Sequence, residues 1–148
     1  MRLAYRERPA QAAALSCAPF AVFVVVVRQG YILLLRAPGS DAFQVPSGAV
    51  EADEDLTTAA LRELRGASGE FEVSDLRCFS ATKVAYDPLL PDLLSIGFVC
   101  RYRSGVVVPG DDMANSELRW VQADEAATMP LVVPSAPELL REAVAALR

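Results

Sequence analysis

Gly48-Ala-Val-Glu51-Ala-Asp53-Glu54-Asp55-Leu56-Thr-Thr-Ala-Ala60-Leu-Arg62-Glu63-Leu64-Arg-Gly66-Ala67-Ser-Gly69-Glu70 is the stretch from which the rest of the chain can be read. It spells a glycine turn, an acidic helix start, a helix and a glycine stop. Gly48 is expected to take a positive φ in a tight turn after a strand. Asp53, Glu54 and Asp55 fall where a first helical turn favours negative charge. Leu56, Ala60 and Leu64 recur at i, i+4 and i+8 and give the helix an apolar stripe. Gly66 and Gly69 are unfavourable in a helix interior, so the helix is expected to fray or end there.

Upstream, Phe20–Val27 and Tyr31–Leu35 are β-branched and aliphatic runs separated by Arg28-Gln29-Gly30, the pattern of a hairpin. Their continuous apolar character implies that both faces of the sheet are covered. Phe43–Val45 reads as a short strand leading into Gly48. Met1–Ser16 mixes charge with alanine and reads as an irregular arm or short helix. Downstream, Phe71–Val73, Leu76–Lys83, Leu93–Tyr102, Val106–Val108 and Glu117–Val121 read as strand material, and Tyr86–Asp92 is a proline-punctuated loop. Ser135-Ala-Pro137-Glu138 is a capping-box pattern, and Leu139, Leu140, Ala143, Val144 and Leu147 make a closing amphipathic helix. Strands interrupted by two well-separated helices indicate a layered α/β fold.

The chain has 148 residues, enough for one domain with a sizeable core, expected over 1–148 with 1–17 as an arm. Its net charge is −5, and thirteen of its fourteen basic residues are arginine. An acidic chain without a basic cluster is a poor partner for duplex nucleic acid or an anionic membrane. There is no histidine, which removes Ser-His and Cys-His nucleophilic machinery. Cys17, Cys78 and Cys100 are scattered, and without a CxxC pair a structural zinc site is not expected. No apolar run reaches the length of a membrane span, and no signal-peptide cleavage pattern follows Ala18–Val27. A cytoplasmic location is expected, with a small-molecule ligand as partner and homodimerisation open.

The central stretch resembles the signature of the Nudix hydrolases: a glycine, five residues, a glutamate, seven residues, then Arg-Glu-aliphatic-any-Glu-Glu-any-Gly. Gly48, Glu54, Arg62-Glu63-Leu64 and Gly69 stand at the matching places, whereas Gly66 and Ala67 replace the paired glutamates and Glu70 replaces an aliphatic residue. Phe43-Gln-Val-Pro46-Ser47-Gly48 resembles the family's Trp-x-x-Pro-Gly-Gly lead-in. Glu117-Leu-Arg-Trp120-Val121 with Asp124-Glu125-Ala126 resembles its late strand and turn. The resemblance implies an α/β/α sandwich around a mixed β-sheet. It also implies a Mg2+ or Mn2+ site on the helix, used to hold a diphosphate.

Residues i, i+3 and i+4 share a helix face, so Glu63 and positions 66 and 67 point together. Here that face offers one carboxylate of three, and magnesium keeps its waters unless several oxygens replace them. By resemblance, Glu63 is the surviving metal ligand and Arg62 orients the acidic residues; the plainer alternative is an Arg–Glu scaffold without catalysis. Glu51, Glu70, Glu72, Asp111, Asp112 and Glu117 are candidate replacement carboxylates, with Asp111, Asp112 and Glu117 foremost and Glu117 as the expected catalytic partner. Arg36, Tyr86 and Asp87 are expected to contact substrate, through an anion-binding guanidinium and a ring or hydroxyl. Three functions stay open: a divergent diphosphate hydrolase, a metal-independent enzyme in the same pocket, and a non-catalytic sensor.

Overall fold

The computed structural model describes residues 19–148 except 86–87, 90–91 and 132–136. The expected N-terminal arm, Cys17, Tyr86, Asp87 and the Ser135 cap lie outside the described residues. The elements are β1 (Phe20–Arg28), β2 (Tyr31–Arg36), β3 (Ser47–Ala49), α1 (Leu56–Ser68), β4 (Glu72–Val84), β5 (Leu93–Ser104), a single 3-10 turn (Asp111–Met113), β6 (Glu117–Gln122), α2 (Ala123–Ala126) and α3 (Pro137–Ala146).

The strands form one sheet in the order β4-β5-β1-β2-β6, with β3 also paired to β1. β1 runs parallel to β5 from Phe20↔Leu94 to Val27↔Arg101, and every other strand pair is antiparallel, so the sheet is mixed. Gln29 (φ 51) and Gly30 (φ 84) close the β1–β2 hairpin. Positive φ at both central residues is the turn geometry that matches strand twist. β2 pairs with β1 only at Val27↔Ile32 and Arg28↔Tyr31 but with β6 along its whole length, from Tyr31↔Gln122 to Arg36↔Glu117, and β3 takes the place beside Ala21–Phe23.

Both faces of β1 are covered, which is why its sequence is apolar at every position rather than alternating. Val22, Val24 and Val26 pack with Leu33, Leu35, Ile96, Phe98 and Cys100 beneath Ala59, Ala60 and Leu64 of α1. Phe23, Val25 and Val27 pack with Ile32, Leu34, Val99 and Val121 against Ala126 of α2 and Leu140, Ala143 and Leu147 at α3. The result is the expected α/β/α sandwich. Burying each such Val, Leu or Phe side chain favours folding by about 1.5–3 kcal/mol.

Several local expectations change. Phe43–Val45 forms only isolated bridges, Leu35↔Gln44 and Phe43↔Leu131, and the short strand is Ser47–Ala49. Val106–Val108 is loop. The two strand segments expected after α1 are one strand, β4, bent by register shifts at 72/73, 74/77 and 78/80. Asp75, at φ 58 inside this bulged region, receives both Arg101 (3.1 Å) and Arg103 (3.5 Å). α1 starts at Leu56 with Asp55 as N-cap, its Oδ1 accepting from the Thr58 amide at 2.7 Å, so Asp53 and Glu54 precede the helix rather than form its first turn. The helix runs through Gly66 to Ser68 and is stopped by Gly69 at φ 80, whose N–H bonds the Arg65 carbonyl at 2.9 Å.

Candidate functional site

The N-terminal half of α1 is tied to the preceding loop by one guanidinium. Arg62 Nε donates to Glu54 Oε2 at 2.6 Å and Nη2 to Glu54 Oε1 at 2.8 Å, a two-pronged pair. Nη2 also donates to the Ala49 carbonyl at 2.9 Å, and Nη1 donates to Glu63 Oε1 at 2.7 Å. The Glu51 amide donates to Glu54 Oε1 at 3.0 Å. These bonds, Arg62 first and the Glu51 amide second, hold the Glu54 carboxyl down at about 2, and Glu54 in turn holds the Arg62 guanidinium firmly protonated. Arg62 therefore joins Glu54 to Glu63.

Glu63 lies over Gly48. A β-carbon at 48 would coincide with the Glu63 carboxylate, and Gly48 does not have a positive φ. Glycine is required here for space and not for turn conformation. The side chain of Glu63 is only 12% exposed, with Arg62 on one side and the β3 backbone on the other.

The C-terminal half of α1 is covered by the loop between β5 and β6. Val108 N–H bonds the Ser68 carbonyl (3.2 Å) and Gly110 N–H bonds the Ala67 carbonyl (3.0 Å). These bonds satisfy helix-end carbonyls that lack intrahelical partners. Gly110 is pressed onto the helix backbone: a β-carbon there would stand 2.7 Å from the Arg65 carbonyl oxygen and closer still to that of Gly66. Asp112 then stands over Gly66, where a β-carbon would come within 3.0 Å of Asp112 Cγ and nearer to Oδ2. The volume from which a side chain at 66 would grow thus holds an aspartate carboxylate. Ala67 is 5% exposed and buried in the helix packing. Among the described residues, no group of three or more His, Cys, Asp or Glu side chains is disposed to hold a metal ion.

Arg36 and Glu117 meet across the β2–β6 ladder, with Arg36 Nη2 2.5 Å from Glu117 Oε1. Arg119 Nη2 takes the other oxygen, Oε2, at 2.6 Å. Both guanidiniums lie on the Phe43 ring, Arg36 at 5.3 Å and Arg119 at 4.8 Å from its centroid. The Arg119 hydrogen bond, aided by Arg36, lowers the Glu117 carboxyl below its ordinary range against an opposing push from burial. The structure therefore brings Arg36 and Glu117 together and joins Arg62 to Glu63. Asp111 shares the 3-10 turn with Asp112, Glu51 is 4.0 Å from Arg62 Nη1, and Glu70 and Glu72 are exposed.

Two elements were not visible as site features in the sequence. Gly110 reads as ordinary loop punctuation, and nothing local announces that it rests on a helix. Arg119 could have been found, because 117 and 119 share a strand face by the period of two. Burial pushes the Cys100 thiol up to about 12, which keeps it protonated and unreactive at neutral pH.

Among curated proteins, none matches this chain in sequence. Solved structures share its fold at low identity. The NUDIX domain of Shewanella oneidensis NrtR, solved with ADP ribose, aligns at TM-score 0.73 with 14% identity, covering 97% of this chain and 94% of that one. An ADP-ribose pyrophosphatase from Streptococcus suis aligns at 0.70 with 17% identity, covering 89% and 93%. A MutT protein from Bacillus halodurans aligns at 0.68 with 19% identity, covering 83% and 80%. The family model described as NUDIX domain matches residues 18–143, and with the Gly48–Glu54–Arg62–Glu63 framework in place the chain belongs to the Nudix family.

Proposed function

We propose that this chain takes a small, diphosphate-containing molecule in the Nudix pocket, with a metal site poorer than the family's three-carboxylate face. The observation that carries the reading is the contrast along α1: Arg62 still holds Glu63 in place, while Asp112 stands over a glycine at 66 and a buried alanine occupies 67. Mg2+ and Mn2+ in this family would be held by Glu63 and the next-turn carboxylates. The residues present do not fit that set, since one carboxylate from the helix and one from the loop leave most of an octahedral shell to water. No chemical step is therefore assigned through a metal. Arg62 acts as the positioning residue for Glu63. The Shewanella NrtR domain with ADP ribose supports ligand binding on this fold, and Tyr86 and Asp87 remain proposed ligand contacts. A cytoplasmic location and use of the pocket by a sensor or a metal-independent enzyme fit the same reading.

The test is calorimetric titration with Mg2+ and Mn2+ on the parent and Glu63→Gln, together with binding and product release from a panel of nucleoside and sugar diphosphates. Diphosphate binding with weak metal affinity supports the proposal. A micromolar metal site lost on Glu63→Gln would restore an ordinary metal-dependent hydrolase, and no binding anywhere in the panel would remove the ligand assignment.

A further inference from the structure

The end of the sheet that carries the β1–β2 hairpin presents a second constellation, apart from the motif around α1. Val22, Val24 and Val26 face α1, so by the strand period of two Arg28, the last residue of β1, stands on the same face. Its guanidinium lies 4.6 Å from the Tyr102 ring centroid and 5.7 Å from that of Trp120. Tyr102 meets Trp120 edge-on at 5.9 Å and the tilted Phe71 ring also at 5.9 Å. These three rings are half-buried at the rim of the core beneath α1. Among the described residues Arg28 makes no hydrogen bond or ion pair, whereas Arg62 and Arg101 make both. The rings hold its flat face, and its in-plane N–H groups stay available to a carboxylate. Tyr31, opposite Arg28 in the hairpin, is exposed. So are Val106 and Val108, in the loop that follows Gly105, whose carbonyl accepts from the Tyr102 hydroxyl at 2.5 Å. Three of the five large apolar side chains exposed among the described residues therefore lie around one aromatic row.

Exposed apolar clusters rimmed by charge mark docking surfaces, and Tyr, Trp and Arg concentrate at their centres. The charges around this cluster indicate the partner. Glu70 and Glu72, on either side of Phe71 in the chain, are exposed and form no ion pair among the described residues. An acidic partner would suit Arg28 and be repelled by Glu70 and Glu72, and a basic partner would do the reverse. A second copy turned about a twofold axis matches both, because such an interface sets residue i against j and j against i. We propose that two copies of this chain meet on the Phe71–Tyr102–Trp120 row, with Arg28 of each copy against the Glu70–Glu72 segment of the other and Tyr31 and Val106 as the apolar surround. The contact is face to face at the end of the sheet and does not extend it. The loop that starts in this surface goes on to lay Gly110 and Asp112 on α1, so a second copy braces the segment that closes the helix face. The inference stands independently of any ligand.

The experiment is sedimentation equilibrium over a wide range of protein concentration on the parent, Arg28→Glu, the double variant Glu70→Arg with Glu72→Arg, Val106→Asp and Glu125→Arg. Glu125 is the control, an exposed carboxylate on α2 whose reversal changes net charge away from the surface. The parent should dimerise. Arg28→Glu and the Glu70/Glu72 variant should each dimerise more than about tenfold more weakly, since each change enters a twofold interface twice. Val106→Asp should do the same through the apolar surround, and Glu125→Arg should match the parent. An equimolar mixture of Arg28→Glu with the Glu70/Glu72 variant should regain the parent's dimerisation, because both charge pairs are then opposite in sign. Melting curves confirm that each variant is folded. A parent that stays monomeric at every concentration overturns the proposal. So does a dimer unmoved by Arg28→Glu and Val106→Asp, or a mixture that fails to associate when its two folded components do not.

Discussion

At its N-terminal end α1 is held by side-chain charge: Arg62 spans Glu54, Glu63 and the Ala49 carbonyl, and Glu63 fills the space over Gly48. At its C-terminal end it is held by backbone against backbone: Gly110 sits on the carbonyls of Arg65 and Gly66, and the loop amides of Val108 and Gly110 bond the last turn. The first kind of contact can give way by rotating a side chain. The second can yield only by moving main chain, and it responds to volume but not to pH. The family's carboxylate face would lie along the second half, so the part of the helix that departs from the motif is also the part closed by the loop.

The largest effect is expected from Gly110→Ala. Gly110 has extended φ and ψ (−81, −177), which alanine adopts freely, so the change is purely steric. It should destabilise the fold by about 3 kcal/mol, as overpacking against immovable backbone does. A melting curve matching the parent would show that the loop does not rest on the helix.

Gly66→Glu with Ala67→Glu comes next. The new side chain at 66 must displace Asp112, and the one at 67 must leave a buried position. The pair should lower stability by about 2 kcal/mol without metal. Magnesium should restore part of it by binding the folded state, while leaving the parent unmoved. Absence of a magnesium shift in the double variant would mean that 63, 66 and 67 do not share a site.

Gly48→Ala should be milder, about 1 kcal/mol, because Glu63 can swing off the added methyl even though it then loses Arg62. A loss as large as that from Gly110→Ala would erase the distinction between the two ends.

The smallest effect is one of pH. The folded Glu54 carboxyl titrates at about 2, below its ordinary 4.5, so its contribution is complete above the unfolded value and disappears as pH falls from about 4.5 towards 2. Glu54→Gln should flatten the acid limb of the stability curve within that window, and an unchanged limb would mean that Arg62 does not engage it.

The sheet was legible because its signals are local and repeated. Val22–Val27 and Ile32–Leu35 are apolar at every position, and burial on both faces leaves no other arrangement. Glu54, Arg62 and Glu63 could be read because motif spacing encodes which side chains meet across a loop–helix joint. Gly48 was legible as a requirement but not in its cause, since a glycine needed for φ and one needed for space look the same in sequence. The contacts of Gly66 with Asp112, and of Arg119 with Glu117 and Phe43, depend on the route of a loop and on the parity of an edge strand. No local pattern carries the first, and the period of two places 119 beside 117 but says nothing of Phe43.

β4 is one of the sheet's two outermost strands, and an outermost strand offers free amides and carbonyls to any other chain. Here its longest unshifted run against β5 is Ser80–Val84, and the bend at Asp75 is pinned by two arginines from β5. A second copy approaching this flank would meet a broken hydrogen-bonding template with Glu72, Asp75, Arg77 and Lys83 along it. Sheet extension across β4, one route by which so valine-rich a sequence could stack into fibrils, is thereby disfavoured.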